Sequence, residues 1–273
     1  MMQGTTRISS VVLLSFVVSS SLCLSSAKSA EIETGFLRRS LSLSGGAYHY
    51  QVYVPEHWGR TQRWPVILFL HGAGERGNDG LLPTKDGLGL VIRRDPQRVP
   101  AIVVFPQCRE GGRWSDGEME QLVLHALEQS MQEFYGDRRR VYLTGLSMGG
   151  YGTWYLAAKY PDQFAAIVPV AGRSRPALGI ATNPKAIDGQ GLSGMSISDA
   201  ATRIGYTPTW VFHGENDDVV PVSESRNMVA ALHRFGNPAK YTEYRYVGHA
   251  SWNYAYVEPG LFSWMFSQRL DAQ

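Results

Sequence analysis

The spacing of hydrophobic positions changes partway along the chain. From 48 to 54 it alternates, with Tyr48, Tyr50, Val52 and Val54 on one face and His49, Gln51 and Tyr53 on the other. A period of two predicts an early antiparallel strand with one wetter face. Short, mostly apolar runs follow at 66–70, 101–105, 141–143, 165–170 and 209–212, with a further strand at 241–247. Continuous apolar runs fit the middle of a parallel sheet buried on both faces. Between them lie stretches of helical period. In 118–135, Met119, Leu122, Leu127, Met131 and Phe134 fall near one face. The segments 148–159, 223–235 and 259–270 are the other predicted helices. Strand alternating with helix implies right-handed crossovers, and so a doubly wound, mostly parallel sheet in a single domain.

Two segments break the pattern. Residues 72–95 are rich in Gly, Asp and Asn and read as a long loop. Residues 173–207 carry many Gly, Ser and Pro with little periodicity, the mark of a functional lid or, alternatively, a solvated surface excursion.

Composition adds the compartment. Arg7 precedes an apolar, serine-punctuated run at 8–24, and small residues follow at Ser25, Ala27, Ser29 and Ala30. That pattern predicts a signal peptide over 1–30, with a catalytic domain at 31–273 and a secreted or periplasmic destination. The net charge of +2 comes from Arg7 and Lys28, so the remaining chain is balanced at 24 basic and 24 acidic side chains. A balanced chain has no electrostatic reason to seek nucleic acid or an anionic membrane, and no stable membrane association is expected after cleavage. A neutral or small substrate is expected. The two cysteines are Cys23 and Cys108; loss of Cys23 with the signal leaves Cys108 without an intramolecular partner.

The chemistry centres on Gly145-Leu146-Ser147-Met148-Gly149, which follows an apolar strand and opens a helix. A sharp strand-to-helix turn strains the serine backbone, and its neighbours must lack side chains to fit. A serine hydroxyl needs a base, and the base needs an orienting carboxylate. With such an elbow these partners follow in the order serine, acid, histidine. After Ser147 the histidines are His213, His233 and His249. His213 ends a strand ahead of the nearby carboxylates, and His233 lies within a helix. His249 sits in a loop at a strand's carboxyl end, where such sheets present their chemistry. It is the expected base. The acid is expected after strand 209–212, at Asp217, with Asp218 as the alternative. Oxyanion N–H donors are expected from Met148 and, after strand 66–70, from Ala73. His71 is expected to shape that loop by hydrogen bonding. Trp114, Tyr151 and Trp252 are candidate substrate-binding rings at the mouth. No metal is expected, because none of the seven histidines pairs at ligand spacing, and no cofactor is called for.

Several longer motifs carry a resemblance. They are Leu70-His71-Gly72-Ala73-Gly74-Glu75-Arg76-Gly77, Pro106-Gln107-Cys108, the elbow through Gly150-Tyr151-Gly152, Trp210-Val211-Phe212-His213-Gly214-Glu215, and Gly248-His249-Ala250-Ser251-Trp252. From about 48 to 268 the chain resembles the bacterial esterase and predicted-peptidase family of α/β-hydrolases, related to feruloyl and acetyl-xylan esterases and polyhydroxybutyrate depolymerases. The resemblance implies Ser147, Asp217 and His249 as a triad with Ala73 and Met148 as oxyanion donors. The excursion at 173–207 is longer than such proteins usually have. The expected activity is hydrolysis of a small or sugar-linked carboxylic ester, feruloyl and acetyl esters included. A serine peptidase is the alternative, and a non-catalytic binding protein on the same scaffold is a third reading.

Overall fold

The computed structural model describes Met1, Met2, residues 33–174 and residues 195–271. The chain divides into two units, Met1–Ile32 and Glu33–Gln273. Residues 3–30 of the expected signal segment and residues 175–194 of the expected lid lie outside the described residues. Among the described residues no helix is long and apolar enough to cross a membrane.

The larger unit opens with a hairpin of β1 (Gly35–Leu43) and β2 (Gly46–Val54), whose Leu43↔Gly46 pairing leaves a two-residue turn with Gly46 at positive φ. There follow β3 (Trp64–Leu70), α1 (Leu88–Arg94), β4 (Ile102–Pro106), α2 (Gly117–Glu133), β5 (Gly136–Leu146) and α3 (Met148–Lys159). The chain continues through β6 (Ala166–Val170), α4 (Ile197–Ile204), β7 (Trp210–Gly214), α5 (Ser223–Phe235), β8 (Lys240–Tyr244), α6 (Trp252–Ala255) and α7 (Leu261–Ser267). Among the described residues eight strands form one sheet in the order β1-β2-β4-β3-β5-β6-β7-β8. β2 runs antiparallel to its neighbours, and every pair from β4 to β8 is parallel.

The period of two explains how both faces are covered. In β3, Val66, Leu68 and Leu70 enter one apolar cluster while Ile67 and Phe69 enter the other. The first cluster is closed by α2 through Met119, Leu122, Ala126 and Met131, and by α5 through Met228 and Leu232. The second is closed by α1 through Leu88, Val91 and Ile92, and by α7 through Leu261 and Met265. Each such side chain, fully buried, contributes about 1.5–3 kcal/mol.

Three sequence expectations change. The wetter face of β2 is mostly dry: Gln51 and Tyr53 are buried, and Gln51 Nε2 donates to Gly80 O at 2.7 Å. The loop over 78–82 folds across that face. The expected loop 72–95 contains α1, whose three buried apolar side chains, Leu88, Val91 and Ile92, make only a short face. Part of the supposed lid is the helix α4, opened by a capping box in which Ser196 accepts from the Asp199 N–H and Asp199 accepts from the Ser196 N–H.

Candidate active site

The loops that follow the parallel strands gather at their common carboxyl end. Ser147 follows β5 with φ 53° and ψ −114°, a left-handed backbone that costs a non-glycine residue about 1–3 kcal/mol. Its N–H donates to Val170 O at 2.9 Å, which ties the strained turn to β6. The flanking glycines are required by close approach. A Cβ on Gly145 would fall onto the Gly149 carbonyl, and one on Gly149 onto the Leu70 carbonyl.

The turn after β7 and the loop after β8 are stitched together. Glu215 N donates to Tyr244 O at 3.0 Å, and Asn216 N donates to Val247 O at 2.9 Å. That stitching sets Asp217 beside His249, where Nδ1 of His249 donates to Asp217 Oδ2 at 2.7 Å. Nε2 of His249 lies 2.9 Å from Ser147 Oγ and accepts from it. The structure therefore brings together all three residues expected from the sequence. Asp217 is the acid in contact, and Asp218 is exposed. The Asp217 side chain is 0% exposed and that of His249 18%, so the carboxylate is sealed while the imidazole still meets solvent. A hydroxyl, an imidazole and a sealed carboxylate in this order can move a proton off the hydroxyl as it attacks.

Asp217 is held more tightly than the sequence indicated. Oδ1 accepts the N–H groups of Val219 at 2.9 Å and Val220 at 2.8 Å. Val219 thus acts through its backbone, its side chain being exposed. Oδ2 accepts a second imidazole, His213, at 3.1 Å. Nε2 of His213 faces two acceptors, Asp217 Oδ2 and Val220 O (2.9 Å), so it carries the proton, and Nδ1 accepts from Ser225 Oγ at 2.7 Å. Burial pushes the His213 pKa down and keeps the ring neutral. In sequence His213 precedes the acid and so falls outside the serine, acid, histidine order. Its place four residues before Asp217, at the buried end of a strand, is the signal that could have found it.

Ala73 and Met148 both border a cavity of about 240 Å³ over Ser147. Each is the first residue of a helical turn, so neither N–H has a partner in its own ladder. His71 shapes this loop as expected, with Nδ1 donating to Gly72 O at 2.6 Å and Nε2 accepting from Cys108 N at 3.0 Å. Burial pushes its pKa down to about 4. Cys108 itself is a free, buried thiol.

The three candidate rings separate. Tyr151 borders the cavity. Trp252 packs edge-to-face on His249 at 5.2 Å and donates Nε1 to Asp86 Oδ2 at 3.0 Å, which steadies the imidazole. Trp114 is a correction. It is fully buried, donates Nε1 to His71 O at 3.0 Å and packs against the His71 ring, leaving no face for a substrate. Its indole fills the space beside Gly152, where even a Cβ would collide with it.

A mostly parallel eight-stranded sheet with this elbow defines an α/β-hydrolase. The family model of the prolyl oligopeptidase family matches residues 111–260, and the chain belongs to that family. Among solved structures, a thermostable esterase superposes with a TM-score of 0.72 at 31% identity, over 86% of this chain and 63% of that one. An uncharacterized secreted protein of Arthroderma benhamiae is 27% identical over a 237-residue alignment that covers 76% of this chain and 24% of the relative. A bifunctional acetylxylan esterase/xylanase, XynS20E, of Neocallimastix patriciarum is 26% identical over 184 residues, 64% of this chain and 22% of the relative. The chain thus spans less than a quarter of the length of these curated relatives.

Proposed function

We propose that this protein is a serine carboxylic ester hydrolase, secreted or periplasmic, acting on small or sugar-linked esters such as acetyl and feruloyl esters. The observation that carries the reading is the strained Ser147 held 2.9 Å from His249 Nε2, with Asp217 behind it. In this reading Ser147 Oγ attacks the ester carbonyl while His249 takes its proton. The developing oxyanion is met by the N–H groups of Ala73 and Met148. The tetrahedral adduct then expels the alcohol, protonated by His249, and leaves the acyl group on Ser147. Water, deprotonated by the same nitrogen, repeats the sequence and releases the acid. The esterases among the similar proteins support the substrate class, and the secreted relative and the 1–30 pattern support export.

The family match favours one second reading, a serine peptidase working through the same three residues. Turnover of para-nitrophenyl acetate and methyl ferulate against amino-acid para-nitroanilides separates the two. Esters hydrolysed with anilides untouched supports the first, and the reverse rejects it.

A further inference from the structure

Among the described residues three arginines border the cavity over Ser147. Arg76, Arg113 and Arg173 come from the loops after β3, β4 and β6, and all border the same 240 Å³ as Ser147. Elsewhere Arg39, Arg138, Arg140 and Arg226 each hold a carboxylate. The cavity arginines make no ion pair among the described residues. Arg76 is fixed by uncharged acceptors, with Nε on Gly112 O at 2.8 Å and Nη2 against Met148 Sδ at 2.9 Å. Arg173 reaches Val219 O at 3.4 Å. Arg113 binds Asp116 Oδ2 through its backbone N–H, at 2.7 Å.

No Asp or Glu borders this cavity among the described residues. Glu75 lies against Gly72, outside the lining, and Asp217 is sealed behind His249. The whole chain carries 26 basic and 24 acidic side chains, so the excess is local rather than a property of the surface. A round cavity of 240 Å³ is about 8 Å across, inside the ~10 Å Debye length at 0.1 M salt. An anion in it therefore feels all three charges, against the Glu75 and Asp217 carboxylates that lie outside its lining. A guanidinium has five donors in a fixed fork, and those left over here suit a carboxylate. The other walls, from Ala73, Met148, Tyr151, Val219 and Val220 with the hydroxyl residue Ser115, suit a short carbon skeleton.

We propose that the cavity selects esters bearing a free carboxylate a few bonds from the scissile carbonyl, bound by Arg76, Arg113 and Arg173. The proposal rests on the ester-hydrolase reading and revises the sequence expectation of a neutral substrate. The carboxylate can belong to the acyl part, as in a half-ester of a dicarboxylic acid, or to the alcohol part, as in an acylated hydroxy acid.

Matched twins test it. Mono-para-nitrophenyl adipate and its methyl ester place the charge on the acyl side. Para-acetoxybenzoate and its methyl ester place it on the leaving side. With kcat/KM normalised to each ester's hydroxide rate, the anionic twin of one pair is expected to win by about tenfold. That preference shrinks several-fold as salt rises from about 0.05 M to about 0.5 M. It falls towards one in Arg113→Gln/Arg173→Gln, and separately in Arg76→Gln, with folding checked by circular dichroism. Turnover of the neutral twins without any anionic preference, or a preference that survives in all the variants, overturns the proposal alone. No turnover of any of the four, with no fluorophosphonate adduct, overturns the ester-hydrolase reading and the proposal with it.

Discussion

Replacing Asp217 with Asn is isosteric, yet the hydrogen bonds around it dictate a large loss. The Oδ1 position receives two backbone N–H groups, from Val219 and Val220, that cannot turn away. The amide oxygen of Asp217→Asn must occupy that position. Its NH2 then takes the place of Oδ2, 2.7 Å from His249 Nδ1 and 3.1 Å from His213 Nε2. Donors now face donors. His213 can still give its proton to Val220 O, but His249 must bare Nδ1 and carry its proton on Nε2, facing Ser147. A base protonated on that nitrogen cannot accept from the serine. Such tautomer reversal costs about 10⁴ in rate, or about 5 kcal/mol of barrier. The assay is kcat/KM for para-nitrophenyl acetate in purified wild type, Asp217→Asn and Asp218→Asn, with Ser147→Ala giving the background. Asp218→Asn stays near wild type, since its side chain is exposed. A loss in Asp217→Asn of less than about tenfold, or an equal loss in Asp218→Asn, refutes the reasoning.

Three further outcomes follow from the surroundings of the site. His213→Phe removes one of four donors to Asp217 and strands Ser225; kcat is expected to fall about tenfold and stability by about 1–3 kcal/mol, read by ester kinetics and urea unfolding. Trp114→Ala opens a core cavity costing about 3–5 kcal/mol, seen as a lower Tm, with no selective loss on aromatic esters. His71 contributes a pH dependence. Its pKa is near 6.5 when exposed and about 4 when folded. Between those values the unfolded chain binds more protons, so stability is full above pH 6.5 and falls by about 3 kcal/mol as pH drops to 4. Urea midpoints between pH 7 and pH 4 in wild type and His71→Gln check this, the slope flattening in the variant.

Much of this was legible in the sequence because steric demands write themselves into it. Gly145 and Gly149 are forced by carbonyl contacts, and the buried strands read as apolar runs because helices cover both faces. The limits of β5 were hidden because its first turn of chain, Asp137 to Arg140, is polar, held by an Arg140–Asp137 pair. β1 escaped notice because it is an edge strand whose Leu37, Leu41 and Leu43 are only half-buried. What sequence spacing could not supply was convergence between distant loops. Trp114 lies near the elbow in the fold but points into the core. Arg76, Arg113 and Arg173 are spread over three loops and meet only in space. A chain-wide charge balance averaged them away.

The central claim is that Ser147 is the group that takes the acyl chain, and labelling tests it most directly. Purified protein is treated with a fluorophosphonate, and the adduct is located by peptide mass spectrometry in wild type and in Ser147→Ala. One adduct per chain on the peptide containing Ser147, absent from a folded Ser147→Ala variant, is the predicted result. An adduct on another residue, or labelling that persists in Ser147→Ala, would contradict the account.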